Sequence, residues 1–252
     1  NIESSILKRE EPIVQELANE YLTEQGITIL NNVTLESVSN DGDKPVITAN
    51  NQNYTFDAVL YATGRKANTA NIGLEHTDIA TNERGAIVVN DTCESSVPGV
   101  YAVGDVNGGP QFTYVSLDDF RIVFGALTGN SQYTLKDRKN IPYTTFLTPP
   151  LSRVGLTEED AINQGYTVKT KEMLVATMPR AHVNDYLKGA FKIVVDADND
   201  LILGATLYSQ GAEELINLIK MAMDNNIPYT YFKNQIFTHP TMAENLNDLC
   251  NF

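Results

Sequence analysis

The residues best suited to chemistry lie in a glycine-rich stretch near the middle of the sequence. Gly104 and Asp105 follow an apolar run, and a loop leads from them to a segment of helical spacing that opens near Phe112 and Thr113. A carboxylate at the end of a parallel strand lies where α/β folds bind ligands, and it can accept hydrogen bonds from sugar-like hydroxyl groups. Backbone N–H groups at the helix start suit an electron-rich carbonyl or ring. The stretch predicts a ligand-binding loop, although an isolated Gly-Asp pair more often marks a plain turn.

Apolar runs, and the glycine and proline residues between them, predict the helices and strands that would position this loop. Residues 10–25 predict an amphipathic helix that ends at Gly26. A helix followed by strands is typical of half a dinucleotide-binding unit. Strands are predicted over residues 27–30, 34–38, 45–49, 54–61 and 100–103.

The second half of the chain has a different order of elements. A polar stretch over residues 136–140 predicts a linker. Strands in sequence with helices after them indicate an α+β layer. Thr157 and the three acidic residues after it are typical of a helix start. Strands are predicted over residues 143–147, 153–156, 167–178, 191–196 and 201–208, and helices over residues 158–164, 211–225 and 242–249.

Several motifs occur in the order in which pyridine nucleotide-disulfide oxidoreductases carry them. They are Ala-Thr-Gly-Arg at residues 62–65 and the segments 96–105, 150–158, 178–181 and 239–244. They cover nearly the whole chain, which therefore resembles this family, whose members include dihydrolipoamide dehydrogenase, glutathione reductase and mercuric reductase. Residues 111–114 with Asp118 and Asp119 are most similar to the bacterial branch linked to reactive chlorine and hypothiocyanous acid defence.

The resemblance implies an α/β plus α+β fold. Rossmann-like FAD and NAD segments would precede an α+β dimerisation domain with an antiparallel sheet and flanking helices. Residues 1–65 would belong to the NAD(P)-binding domain, residues 66–140 to the FAD-binding domain and residues 141–252 to the dimerisation domain. The chain has neither a Gly-x-Gly-x-x-Gly loop nor a Cys-x4-Cys pair. We therefore expect the carboxy-terminal portion of a longer enzyme, inactive by itself and without tightly bound flavin.

The resemblance also implies roles for single residues in an enzyme that uses FAD and NAD(P)H. Asp105 would bind the ribityl chain of FAD, and Gly64 and Arg65 would line the nicotinamide side. The structural alternative for Gly64 and Arg65 is a plain turn at the end of a strand. The expected cofactor-binding residues are Gly64, Gly104, Asp105, Gln111, Phe112, Thr113 and Tyr114.

His239 and Glu244 match the family's catalytic pair, which reaches the flavin and disulfide of the partner subunit. Imidazole titrates near neutral pH, and a neighbouring carboxylate fixes its tautomer, so the pair suits proton transfer. A structural alternative exists for Glu244, because Thr241 and Glu244 have the spacing of a capping box.

The charge balance, the lengths of the apolar runs and the cysteine count indicate which kinds of partner the chain can bind. The 32 acidic residues outnumber the 18 basic ones, and a net charge of −14 repels nucleic acid and anionic lipid surfaces. No apolar run is long enough to span a membrane. Cys93 and Cys250 are the only cysteines, which indicates neither a disulfide framework nor a metal site and fits a reducing cytoplasm.

The expected partners are a second copy of the chain, in a homodimer, and a small-molecule oxidant or disulfide. A rival hypothesis from another class is a non-catalytic dimerisation or interaction module. It requires only the apolar helix predicted over residues 211–225 and the sheet before it.

Overall fold

The computed structural model describes residues 1–130 and 132–252, and these form two compact units. One unit consists of Asn1–Val59 together with Asn140–Phe252. The other unit is Leu60–Lys139. Both named sheets are antiparallel throughout and belong to the first unit.

The first unit opens with a helix and a small sheet. Helix α1, Pro12–Glu24, begins with proline, whose fixed φ suits a first helical turn. A three-stranded sheet follows in the order β1-β2-β3. Its strands are β1 (Leu35–Asp41), β2 (Lys44–Ala49) and β3 (Gln52–Thr55).

The larger sheet of the first unit has five strands in the order β4-β5-β8-β7-β6. Strand β7 is buried along its whole length, because it pairs on both sides and packs against helices. The strands are β4 (Tyr143–Thr145), β5 (Leu151–Gly155), β6 (Val168–Leu174), β7 (Ala190–Asp196) and β8 (Ile202–Tyr208). The helices are α3 (Glu158–Asn163), α4 (Pro179–Val183), α5 (Ala212–Asp224), α6 (Tyr229–Asn234) and α7 (Asn245–Leu249).

Two apolar clusters hold the first unit together. The larger one joins α5 to the five-stranded sheet and includes Ile216, Ile219 and Leu207. In the smaller one, α1 packs on Leu151 and Tyr208 of the same sheet. Both clusters remove branched and aromatic side chains from water, which is the main stabilising contribution in such a unit.

Gly189, just before β7, must be glycine for two reasons. Its φ is +120°, and a Cβ atom there would lie 1.8 Å from the Tyr208 carbonyl oxygen. Its N–H donates a hydrogen bond of 2.9 Å to the Tyr21 hydroxyl. The hydrogen bond connects Tyr21 of α1 to the residue before β7, and the absence of a side chain at Gly189 lets the β8 backbone approach.

The second unit contains helix α2, Thr113–Leu127, and three 3₁₀ turns. In its described part, residues 60–130 and 132–139, the β pairing consists of isolated bridges such as that between Glu94 and Tyr101. The 3₁₀ turns are Leu74–His76, Gly104–Asn107 and Leu135–Asp137.

The fold class predicted from the sequence is confirmed, but several predicted elements differ. Residues 27–30, 58–61 and 100–103 do not form strands, because a strand requires a hydrogen-bonded neighbour and no continuous partner for them exists in the described chain. The predicted strand over residues 167–178 ends at Leu174, and a 3₁₀ turn and α4 follow. The predicted helix over residues 242–249 begins at Asn245.

The predicted division of the chain at residues 65 and 140 stays a prediction. The compact units divide it at residues 59 and 139, because α1 packs on the five-stranded sheet.

Candidate functional site

The loop that carries Asp105 is a 3₁₀ turn, Gly104–Asn107, that lies against helix α2. Gly104 has a φ of +75°, and a Cβ atom there would lie 2.8 Å from the Ser116 hydroxyl oxygen. Glycine takes this left-handed backbone without strain and leaves room for the Ser116 side chain. The turn leaves Asp105 exposed and Gly104 buried.

Asp105 is brought together with two other predicted site segments. An Arg65 guanidinium nitrogen lies 3.3 Å from Asp105 Oδ2, and the other terminal nitrogen donates to the Gln111 carbonyl over 3.1 Å. The Ala-Thr-Gly-Arg motif, which contains Gly64, therefore contacts the Asp105 loop through the Arg65 side chain. Both charged side chains are substantially exposed, so water screens the ion pair and it contributes little stability. The same exposure leaves the Asp105 carboxylate accessible to a ligand.

The start of α2 supplies the aromatic part of the site. Phe112 is the extended residue before the helix, and its ring stacks on that of Tyr114 with centroids 5.1 Å apart and planes at 8°. Thr113 and Tyr114 are exposed. Burial raises the pKa of Tyr114, so its phenol stays protonated and can donate a hydrogen bond.

Asp119, which the sequence offers only as part of the pattern of one family branch, is a further functional candidate. It is buried on the face of α2 that also buries Val115 and Ile122. Its carboxylate accepts hydrogen bonds from the Gly104 N–H over 2.7 Å and from Asn107 Nδ2 over 2.8 Å. A signal was available, because an acidic residue at helical spacing between two apolar core residues predicts a buried carboxylate with specific partners.

His239 and Glu244 are in direct contact. His239 Nδ1 lies 2.7 Å from Glu244 Oε2, and the histidine side chain is 69% exposed while the glutamate is 18% exposed. Glu244 Oε1 accepts from the Thr241 N–H over 3.1 Å, and the Thr241 hydroxyl accepts from the Glu244 N–H over 3.3 Å. The Glu244 carboxylate therefore makes its part of the capping box with one oxygen and orients the imidazole with the other. Glu244 occupies Nδ1 and the His239 side chain is largely exposed, so Nε2 is the ring nitrogen suited to proton transfer.

Two asparagines fix the segment that carries this pair. Asn245 Nδ2 donates to the Thr241 and Met242 carbonyls over 3.2 Å and 3.0 Å. Asn247 Nδ2 donates to the Phe232 carbonyl over 2.6 Å and thereby ties α7 to α6. These amide contacts connect residues 241 and 242 to α7, and α7 to α6.

The two cysteines are not part of either site. Cys93 and Cys250 have no exposed surface, and burial raises the pKa of Cys93 to about 11 and that of Cys250 to about 12. No cluster of three or more potential metal ligands occurs within residues 1–130 and 132–252. Among the helices of the described chain, none combines the length and apolarity needed to cross a bilayer.

Comparison with known proteins matches two family models to the chain. Residues 1–119 match the model described as pyridine nucleotide-disulphide oxidoreductase, and residues 141–250 match its dimerisation domain. A probable pyridine nucleotide-disulfide oxidoreductase, RclA of Escherichia coli K12, is 42% identical over 98% of this chain and 56% of that protein. Mercuric reductase of Staphylococcus aureus is 34% identical over 96% of this chain and 45% of that protein.

A solved structure gives the same result. The HOCl-induced flavoprotein disulfide reductase RclA from Escherichia coli is similar with a TM-score of 0.94 and 41% identity, over 99% of this chain and 57% of that one. The chain thus spans about half the length of the curated relatives it matches.

Proposed function

The chain belongs to the pyridine nucleotide-disulfide oxidoreductases, and from this we propose that it contributes a flavin-binding aspartate and a proton-transferring histidine to such an enzyme. The matches over residues 1–119 and 141–250 and the ordered motifs support the proposal. When bound, FAD would accept a hydride from NAD(P)H and pass electrons to a cysteine pair outside this chain, and so to a small oxidant or disulfide.

The residues around Asp105 fit FAD. The exposed Asp105 carboxylate can accept hydrogen bonds from ribityl hydroxyl groups, and the N-terminus of α2 presents positive partial charge to an electron-rich ring. Gln111 and Phe112 lead into that helix, and Thr113 and Tyr114 are its first two residues. Gly64 precedes Arg65, whose side chain donates to the Gln111 carbonyl. The chain by itself is expected to be colourless and inactive, and stoichiometric flavin absorbance after purification would contradict this.

The observation that carries the catalytic proposal is the contact between His239 and Glu244. Because Glu244 holds Nδ1 and the His239 side chain is largely exposed, Nε2 can accept the proton of a thiol and return it. Glu244 acts by orienting the ring, and its second oxygen is fixed by the Thr241 N–H.

The catalytic proposal is tested with His239→Gln and Glu244→Gln in the holoenzyme. Stopped-flow absorbance follows flavin reduction by NAD(P)H and flavin reoxidation by substrate as separate steps. We expect reoxidation to slow by about 10²-fold or more in His239→Gln, while flavin reduction is unchanged. His182→Gln is the matched control, because the His182 ring is hydrogen-bonded to the backbone carbonyl of Ala176 and lies outside the proposed pair. Wild-type reoxidation rates and pH profiles in both variants would refute the assignment.

We propose a homodimer formed through residues 141–250. The dimerisation-domain match supports it, and so do large apolar side chains exposed there. Examples are Phe146, Val183, Met221 and Ile236. Light scattering at micromolar concentration should give the mass of two chains, and a monomer mass would contradict the proposal.

The rival hypothesis of a non-catalytic dimerisation module rests on the same domain match. It predicts that Asp105→Ala and His239→Gln change neither flavin retention nor turnover in the longer protein. The stopped-flow experiment therefore separates the two hypotheses.

A further inference from the structure

Asp119 is a buried carboxylate whose surroundings point to a specific task. Its exposed fraction is 1%, and it lies between Val115 and Ile122 on the inner face of α2. Burial of an ionised carboxylate is strongly unfavourable unless the group is paired and hydrogen-bonded. The groups that compensate for this burial are therefore the groups that Asp119 holds in place.

Two of those groups belong to the turn that carries Asp105. Asp119 Oδ2 accepts from the N–H of Gly104, the first residue of the turn, over 2.7 Å. The same oxygen accepts from the side chain of Asn107, the last residue of the turn, over 2.8 Å. Asp119 thus bridges both ends of a four-residue turn and leaves Asp105 projecting from it. Hydrogen bonds to a charged acceptor are stronger than neutral ones, so the turn is firmly fixed.

The third group neutralises the charge. Arg138 donates through one terminal nitrogen to Asp119 Oδ1 and through Nε to Asp118 Oδ2 over 2.7 Å. Its side chain is itself mostly buried. Arg138 therefore leaves Asp119 Oδ2 available for the turn.

We propose that Asp119 is a positioning residue that fixes the Gly104–Asn107 turn so that the Asp105 carboxylate is held ready for the ribityl hydroxyl groups of FAD. This inference rests on the proposed role of Asp105. Asp119 acts through the turn and does not touch the ligand.

Asp118 provides a matched control within the same helix. It has the same charge and shares Arg138, but its other contact is the Tyr133 hydroxyl at 3.3 Å. Among the described contacts of Asp118, none reaches the turn. Asp118→Asn therefore reports what weakening of the Arg138 and Tyr133 contacts does when the contacts to the turn are left intact.

The experiment measures FAD dissociation constants of the reconstituted holoenzyme by flavin fluorescence. We expect Asp119→Asn to weaken FAD binding by about tenfold or more and Asp118→Asn by less than about twofold. In the double variant Asp105→Asn/Asp119→Asn, the loss should equal that of Asp105→Asn alone, because a positioning residue has nothing left to position. Additive losses, or Asp119→Asn binding FAD as the wild type does, would overturn the inference.

Hydrogen exchange at the Gly104 amide of the apoprotein separates this inference from the proposed function. We expect exchange to accelerate in Asp119→Asn and to stay unchanged in Asp118→Asn. If Asp105→Asn leaves FAD affinity unchanged while Gly104 exchange responds as expected, the proposed role of Asp105 fails while the positioning of the turn by Asp119 stands. Unchanged Gly104 exchange in Asp119→Asn would overturn the inference. If Asp119→Asn does not fold, Asn107→Ala removes the same carboxylate contact from the turn side, and wild-type FAD affinity in that variant would overturn the inference.

Discussion

Substitution of Lys192 by methionine should destabilise the first compact unit strongly. Lys192 lies in the fully buried strand β7, and its ammonium contacts three carboxylates. The distances are 3.0 Å to Glu11, 2.6 Å to Glu158 and 3.0 Å to Glu172. Burial lowers the pKa of Lys192, but the hydrogen bonds to these glutamates outweigh it, so the net pKa is raised.

The expected loss of unfolding free energy in Lys192→Met depends on how deeply each of the three glutamates is buried. The side chains of Glu158 and Glu172 are 37% and 43% exposed, so water screens their share of the interaction. Glu11 is buried, and loss of one partner from a buried ion pair costs about 3–5 kcal/mol. Glu11 retains the Glu158 N–H as a donor at 2.8 Å, so we expect the lower end, about 3 kcal/mol. A loss of this size lowers the melting temperature by about 6–12 °C in a unit of this length.

Thermal and urea unfolding, followed by circular dichroism, measure the effect of Lys192→Met. Lys44→Met is the control, because Lys44 pairs with Asp57 at 3.1 Å on the exposed surface and should cost less than about 0.5 kcal/mol. Glu11→Gln should recover part of the loss in the Lys192→Met background, since it removes the unpaired buried charge. The reasoning is refuted if Lys192→Met unfolds within about 0.5 kcal/mol of the wild type.

Three further predictions concern other parts of the protein. Cys93 and Cys250 should resist Ellman's reagent in the native state and react in denaturant, because both are buried; rapid native labelling would contradict this. Gly189→Ala should lower the unfolding free energy by about 3 kcal/mol, because its methyl group would collide with a backbone carbonyl of β8; an unchanged urea midpoint would count against it. Burial and the hydrogen bond to Glu10 raise the pKa of Tyr143, so its contribution to stability is complete below about pH 10 and is lost at higher pH. Unfolding midpoints between pH 8 and pH 12 should fall less steeply in Tyr143→Phe.

Local features were the most predictable part of the fold. The helix start at Thr157 is confirmed, with its hydroxyl accepting from the Asp160 N–H over 3.1 Å, because a cap depends on residues three apart. The contact between His239 and Glu244 is equally local, while their catalytic roles stay predictions. The strand containing Lys192 was predicted from its apolar neighbours despite the charge.

Features that depend on distant partners were not predicted. Glu11, the residue just before α1, lies far from Lys192 in sequence, so no periodicity could indicate it as a counter-ion. The same holds for α1 itself, whose apolar face was predicted but whose packing on β5 and β8 was not. The strand expected over residues 58–61 failed for a related reason, because strand formation depends on a neighbour as well as on an apolar run.

The packing of α1 has a consequence for synthesis on the ribosome. The hydrogen bond between Tyr21 and Gly189 can form only after Gly189, 168 residues later in the chain, has been synthesised. At about 5–20 residues per second, translation takes roughly 10–30 s to cover that interval. During that time the apolar side of α1, with Val14 and Ala18, has no sheet to cover it. We therefore expect these apolar side chains to stay exposed in the nascent chain for many seconds, and transiently exposed apolar segments of this kind are what chaperones protect from aggregation.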